Sequence, residues 1–153
     1  MNKQPYSPGL EGIISNTTKL SFLDVDQEQI LIRGYDLIEL AKHLHYTDVA
    51  FLIINGEMPN LDQSTRFQSV LKDQYGFPED LYQIFRLMPK TTSVMDAMRS
   101  AISLLAGYEN PDSLTDNSHK ANLRKGIKLL ATLPSVAANA YRSVNGLPLV
   151  KPD

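Results

Sequence analysis

The chain has no cysteine. That excludes a disulfide framework, a thiolate nucleophile and any cysteine-ligated metal site. It has little excess charge of either sign: 15 Lys and Arg stand against 17 Asp and Glu, for a net charge of −2. Composition therefore gives no global argument for nucleic acid or an anionic membrane as partner. Long apolar runs are missing too. The longest, Val49 to Ile54, is far short of the ~20 residues that span a bilayer. Met1 to Leu10 holds one Lys and no apolar core, so no secretory signal is expected there. No repeat and no low-complexity segment interrupts the chain. The 42% hydrophobic and 21% charged residues describe a globular chain of 153 residues, enough for one domain of ordinary size.

Helical punctuation dominates what is present. Asp36 with Glu39, Asn60 with Gln63, and Ser93 with Asp96 are capping pairs three residues apart, each before an apolar-periodic stretch. They predict helices over Leu37 to His43, Asn60 to Tyr75, and Val94 to Tyr108. Further helices are expected over Thr47 to Ile54 and, behind Pro78, over Glu79 to Met88. Phe67, Val70 and Leu71 are the expected inner face of the second capped helix. Leu20, Phe22, Ile30 and Ile32 alternate around Asp24 to Glu28 and predict one short β-hairpin. Gly107 to Thr115 reads as loop. The expected fold class is all-α with a small N-terminal β-hairpin.

The longest helix is expected from Asp116, as its cap, to Val144. Leu123, Ile127, Leu130, Pro134, Ala137, Tyr141 and Val144 recur at four and three, the a/d spacing of a paired helix. A second line holds Leu129, Leu133, Val136 and Ala140. Two stripes make an apolar arc wider than one core-facing stripe needs. Either this is the central core helix of a monomer, or one stripe faces the domain and the other a second subunit. Ala131, Ser135, Ala137, Ala138 and Ala140 are small enough to let a neighbouring helix approach. Pro134 should kink the helix rather than end it. Gly146 suits a left-handed cap.

Chemistry is sparse. His43 and His45 do not share a helix face, and His119 is far off in sequence; a metal site and helix-end histidines are the alternatives. Lys120, Arg124 and Lys128, with Lys125 beside them, form either a solvated basic face or a contact for an anion or acyl cofactor. No phosphate-cradling loop is present.

Several motifs, in order, carry a resemblance. They are Gly9-Leu10-Glu11-Gly12, Ser21-Phe22-Leu23-Asp24, Ile32-Arg33-Gly34-Tyr35-Asp36 and Glu39-Leu40-Ala41. Ala50-Phe51-Leu52-Ile53, Asn55-Gly56-Glu57-Met58-Pro59, Met95-Asp96, Ala101 to Ala106 and Leu130 to Ala138 follow. Together they resemble the opening part of citrate synthases, and the Gln29 to Leu40 run is closest to the bacterial 2-methylcitrate synthase branch. Val25 replaces the glycine usual after Asp24, and Ser93-Val94 replaces a usual His-Pro.

The resemblance implies the first part of a large helical domain over residues 1–153, without the smaller catalytic domain. It implies a cytoplasmic transferase of the tricarboxylic acid or methylcitrate cycle. Such an enzyme joins acetyl-CoA or propionyl-CoA to oxaloacetate. One histidine polarises the thioester carbonyl, an aspartate takes the α-proton, and a second histidine serves the ketone. Those motifs lie downstream in the family, so no catalytic, cofactor-binding or metal-binding residue is assigned here. The fragment itself is expected to bind no cofactor and to be inactive. Its expected partners are a second copy and the remaining C-terminal part of the enzyme, with no nucleic acid and no membrane. The expected dimer contacts are Val94, Met98, Ala101 and Leu105 on one helix. Ile127, Leu130, Pro134, Ala137, Ala138 and Tyr141 are expected on the other. A non-catalytic helical dimerisation module is the alternative.

Overall fold

A computed structural model describes residues 7–14 and 16–152. Of the Met1 to Leu10 stretch, only Ser7 to Leu10 is described. The chain divides into two compact units, Met1–Asn60 and Leu61–Asp153.

The first unit opens with a 3-10 turn at Pro8–Leu10 and a three-stranded antiparallel sheet: β1 Ser21–Asp24, β2 Gln29–Ile32 and β3 Tyr35–Asp36, in that order. Ser21 faces Ile32 and Asp24 faces Gln29. The β1–β2 turn closes without glycine because Asp24 Oδ1 accepts from the Gln27 amide at 3.0 Å. The sequence pattern predicts one hairpin; a second is present. Arg33-Gly34, between Ile32 and Tyr35, is itself a two-residue turn, with φ of 52° and 89°. Positive φ at both positions is the type I′ signature that suits a hairpin's twist.

Two helices follow, α1 Leu37–His43 and α2 Tyr46–Asn55. Asp36 caps α1 as expected, accepting from the Ile38 and Glu39 amides. Glu39 turns toward Lys42 and His43 instead of back to the cap. The Arg33 guanidinium donates to the Ile53 carbonyl at 2.9 Å. It thereby satisfies a last-turn carbonyl of α2 and sets a cation at that helix's negative end. Leu40, Ala50 and Leu52 are buried, while Phe22, Leu23, Ile38 and Tyr46 remain exposed.

The second unit is helical: α3 Leu61–Lys72, α4 Glu79–Leu87, α5 Val94–Leu105, α6 Pro111–Thr115 and α7 His119–Val144. Phe67 and Leu71 of α3 are buried, but Val70, expected beside them, is exposed. The core joins Leu81 and Phe85 of α4, Ala97, Ala101 and Leu105 of α5, and Val136 and Ala140 of α7. Phe77 stacks on Tyr82 with ring centres 4.3 Å apart.

Four boundaries differ from the pattern, the first being α3, which ends at Lys72 instead of Tyr75. The α5 helix stops at Leu105 and tightens into a 3-10 turn, Ala106–Tyr108. The segment read as loop contains α6, because Asn110 caps the Asp112 amide and Pro111 fits a first turn. And α7 begins two residues late, capped by Ser118 instead of Asp116. The Asp116 backbone amide closes α6 on the Asp112 carbonyl, while its side chain accepts from the Ser118 amide at 2.8 Å. That hydrogen bond holds its carboxyl below the usual range. Ser118 is the true cap, accepting from the Ala121 amide.

The α7 helix runs through Pro134, which lies on its exposed side. It ends in a Schellman pattern: Leu147 donates to Arg142, Gly146 donates to Ser143, and Gly146 takes φ 68°. Among the described residues no helix is long and apolar enough to cross a membrane.

Candidate functional site

The α7 helix has two faces of different chemistry. Its inner face buries Ala121, Ala131, Thr132, Val136, Asn139, Ala140 and Ser143. The polar members of this side reach backbone carbonyls at or beyond the ends of other elements. Thr132 Oγ1 donates to the Gln74 carbonyl and Ser135 Oγ to the Tyr75 carbonyl, just past the end of α3. Ser143 Oγ donates to the Phe85 carbonyl of α4. Asn139 Nδ2 donates to the Val150 carbonyl, and its Oδ1 accepts from the Val150 amide, both at 2.9 Å. One side chain thus pairs like a β-strand with the extended segment after α7.

Sequence reasoning missed this line. It noted only that Ala131, Ser135 and Ala140 are small enough for a neighbouring helix to approach; they pack against the chain's own helices. The signal was available: Thr132, Ser135, Asn139 and Ser143 recur at three and four beside the apolar stripe.

Asn139 is fully buried. Asn139→Ala strips both partners from Val150 and is expected to cost about 2–3 kcal/mol. Urea unfolding with an unchanged m-value would measure it. A loss below ~0.5 kcal/mol would show that the segment contributes nothing to this unit.

The outer face carries the seam predicted for dimer contact. Pro134, Ala138 and Tyr141 are exposed, and Ile127, Leu130 and Ala137 are half-buried. Leu129 and Leu133 are exposed nearby, at 45% and 41%. At about 100° per residue, this seam lies opposite Asn139 and Ser143.

The α5 half of the prediction needs correction. Ala101 and Leu105 are buried in the chain's own core, and Val94 and Met98 pack half-buried against it. They are taken because α5 lies along α7 with that stripe inward. The free side of α5 shows Met95 and Leu104 instead.

Part of the basic row is tied down by the chain's own groups, while Lys120 is exposed. Arg124 donates to Ser113 Oγ at 2.6 Å, and Lys125 to the Asp116 carbonyl at 2.6 Å. Lys128 pairs with Glu109. These cations tie the α6 segment onto α7. They border an open cleft of about 530 Å³ in which Glu109, Asp112 and Asp116 face Arg124, Lys125 and Lys128. A smaller cavity of about 230 Å³ beside it is walled by Ile102, Leu105, Leu114 and Leu129.

The histidines do not converge on either cavity. His43 faces Glu39 at 3.3 Å, His45 precedes α2, and His119 opens α7. Among the described residues no group of three His, Asp or Glu side chains could hold a metal. Lys151 pairs with Glu79 at 2.7 Å and lies over the Tyr82 ring. That hydrogen bond holds the Glu79 carboxyl below its ordinary range and the Lys151 ammonium above its own.

Comparison with known proteins gives a consistent result. The family model described as "Citrate synthase, C-terminal domain" matches residues 9–153. The citrate synthase of Heyndrickxia coagulans is 36% identical over 152 residues, covering 99% of this chain and 40% of that protein. The citrate/2-methylcitrate synthase of Bacillus subtilis is 37% identical, covering 94% of this chain and 38% of that protein. The chain therefore spans well under half the length of these relatives. Among solved structures, the citrate synthase of Thermoplasma acidophilum, in a ternary complex, superposes with a TM-score of 0.86 at 17% identity. It covers 99% of this chain and 40% of that one. The citrate synthase of Pyrobaculum aerophilum superposes with a TM-score of 0.82 at 23% identity, covering 95% and 38%.

Proposed function

This chain belongs to the citrate synthase family, and from that premise we propose that it forms the opening part of the enzyme's large helical domain. In the complete protein that domain serves the condensation of acetyl-CoA or propionyl-CoA with oxaloacetate, in the cytoplasm. The two curated relatives do not separate the substrates: one is named a citrate synthase and the other a citrate/2-methylcitrate synthase, at 36% and 37% identity. The opening position rests on motif order from Gly9 to Ala138; the matched family model carries the name of a C-terminal domain. The role of this part is scaffold and self-association, not catalysis.

The outer face of α7 carries the reading. Exposed Pro134, Ala138 and Tyr141, with half-buried Leu130 and Ala137 between them, lie opposite the side that packs on the chain's own core. Covering about 400 Å² of such surface, at roughly 25 cal/mol per Å², contributes on the order of 10 kcal/mol before association costs. A second copy related by a two-fold is the simplest closed arrangement.

Sedimentation across a dilution series tests it. A concentration-dependent dimer is expected, and Ala138→Glu should shift it to monomer while the helical circular dichroism persists. A folded monomer at every concentration, or a dimer indifferent to Ala138→Glu, would reject the interface.

A non-catalytic dimerisation module remains the second reading, since it uses the same face. The gene beyond codon 153 separates the two. A reading frame that continues into family motifs supports the enzyme. A stop with no complementing gene supports the module.

A further inference from the structure

We propose that Asn145-Gly146 is a spontaneous isoaspartate-forming site, gated by the last turn of α7, whose conversion loosens the segment clasped by Asn139. The chain has two Asn-Gly pairs, Asn55-Gly56 and Asn145-Gly146, and each closes a helix. In such a pair the glycine backbone nitrogen attacks Cγ of the asparagine, unhindered by a following side chain. A new C–N bond closes a five-membered imide. The bond to the side-chain nitrogen breaks, and ammonia leaves with the proton shed by the glycine amide. Water then adds across one of the two imide C–N bonds, giving aspartate or isoaspartate.

The structure ties down both reactants at Asn145. Nδ2 donates to the Tyr141 carbonyl at 2.8 Å, and the Gly146 amide donates to the Ser143 carbonyl at 3.1 Å. Asn145 has ψ 7°, near helical, which keeps Cγ from the Gly146 nitrogen. Fraying of one turn frees both groups together, and helix ends open at the low end of the stability range.

Asn55 is held more firmly. It lies inside α2, its Nδ2 donates to Phe51, and Gly56 donates to Leu52 at 2.8 Å. Arg33 also grips the Ile53 carbonyl of the same turn. Lys90 grips the Ser143 carbonyl of α7 at the equivalent position, so the two sites differ in where the helix ends: Asn55 is still helical, whereas Asn145 is already the cap beyond Val144.

Conversion has two consequences. A carboxylate replaces a donor beside the Tyr141 carbonyl, at the negative end of a long helix. Isoaspartate also adds a methylene to the main chain, putting the Leu147 amide out of register with the Arg142 carbonyl, its partner at 2.8 Å. The segment leading to Val150 starts there.

The test is peptide mapping of the folded full chain during incubation at mildly alkaline pH, with isoaspartate read by enzymatic carboxyl methylation. A denatured sample serves as reference. Isoaspartate is expected at 145 before 55 in the folded chain, at a rate at least about tenfold below that of the denatured chain. Asn145→Gln should remove the signal. Hydrogen exchange at the Val150 amide should speed up in converted protein, and less so in Asn145→Asp, which adds the charge without the methylene. Equal or reversed order at the two sites in the folded chain would overturn the gating. Unchanged Val150 exchange after conversion would overturn the loosening.

Discussion

The purified 153-residue chain is expected to release no coenzyme A from acetyl-CoA or propionyl-CoA, with or without oxaloacetate. The reaction needs a base for a weakly acidic α-proton and a donor for the oxygen that gains charge. A base working near neutrality needs a carboxylate or imidazole tuned toward that range. The two carboxylates shifted here, Glu79 and Asp116, are shifted downward by the partners that hydrogen-bond them, Lys151 and Ser118. That makes them weaker bases. His43 is engaged by Glu39, and neither His45 nor His119 lines the two cavities beside the basic row. Arg124, Lys125 and Lys128 each spend a hydrogen bond on the chain's own Ser113, Asp116 and Glu109, which ties them to the α6 segment. Enzymes in general lower barriers by about 8–23 kcal/mol, which asks for a base and an oxygen-stabilising donor held together on the substrate. Thiol release followed with a disulfide reagent, in protein expressed in a host deleted for its own citrate synthases, measures this. Turnover that depends on oxaloacetate would show a catalytic constellation within these residues.

Most helices were legible because local chemistry and tertiary packing agree at their ends. Asp36 and Ser93 cap where the pattern places them, and Gly146 adopts the left-handed cap expected of it. The misreadings come from competition between neighbours. Asp116 looks like a cap, but Ser118 two residues later does that work, and the carboxylate serves the turn before it. Arg33-Gly34 hides a turn because arginine is rarely found at positive φ. Its long-range bond to Ile53 helps hold it there, and no local rule contains that bond.

The face of α7 was the hardest reading. Periodicity showed two stripes but not which one looks inward, since both are apolar and of similar width. The inner side was chosen by Thr132, Ser135 and Ser143, whose partners are carbonyls 58 to 60 residues away, and by Asn139, whose partner is eleven residues on. An apolar count gives these residues no weight. The same blindness assigned Ala101 and Leu105 to an interface. Periodicity identifies a buried stripe without saying whether the chain or a partner buries it.

Phe85→Ala is expected to be the most damaging single substitution in the second unit. The side chain is fully buried, with its ring 5.9 Å from that of Phe77. Removing a buried phenylalanine ring costs about 3–5 kcal/mol, and the value depends on how far the surroundings collapse. The fully buried part has little to collapse with, so any filling falls to partly buried neighbours such as Phe77, Met88 and Met98. Ala97, Ala101 and Ala140 belong to the same cluster, and alanine has no rotamer with which to fill a void. Leu81 and Val136 are themselves fully buried and can move only by vacating their own contacts. The backbone of the same residue also carries weight, since its carbonyl accepts from Ser143 and so joins α4 to α7. The cost should therefore fall near the upper end, about 4–5 kcal/mol, against a total stability of about 5–15 kcal/mol for an ordinary domain. Urea unfolding followed by circular dichroism should show the midpoint of this unit falling steeply. Phe85→Leu keeps most of the volume and should cost less than half as much. The ratio between the two variants carries the argument. If alanine costs no more than leucine, the cluster around Phe85 repacks freely, and the alanine-lined contact of α4, α5 and α7 is not the rigid centre of this unit.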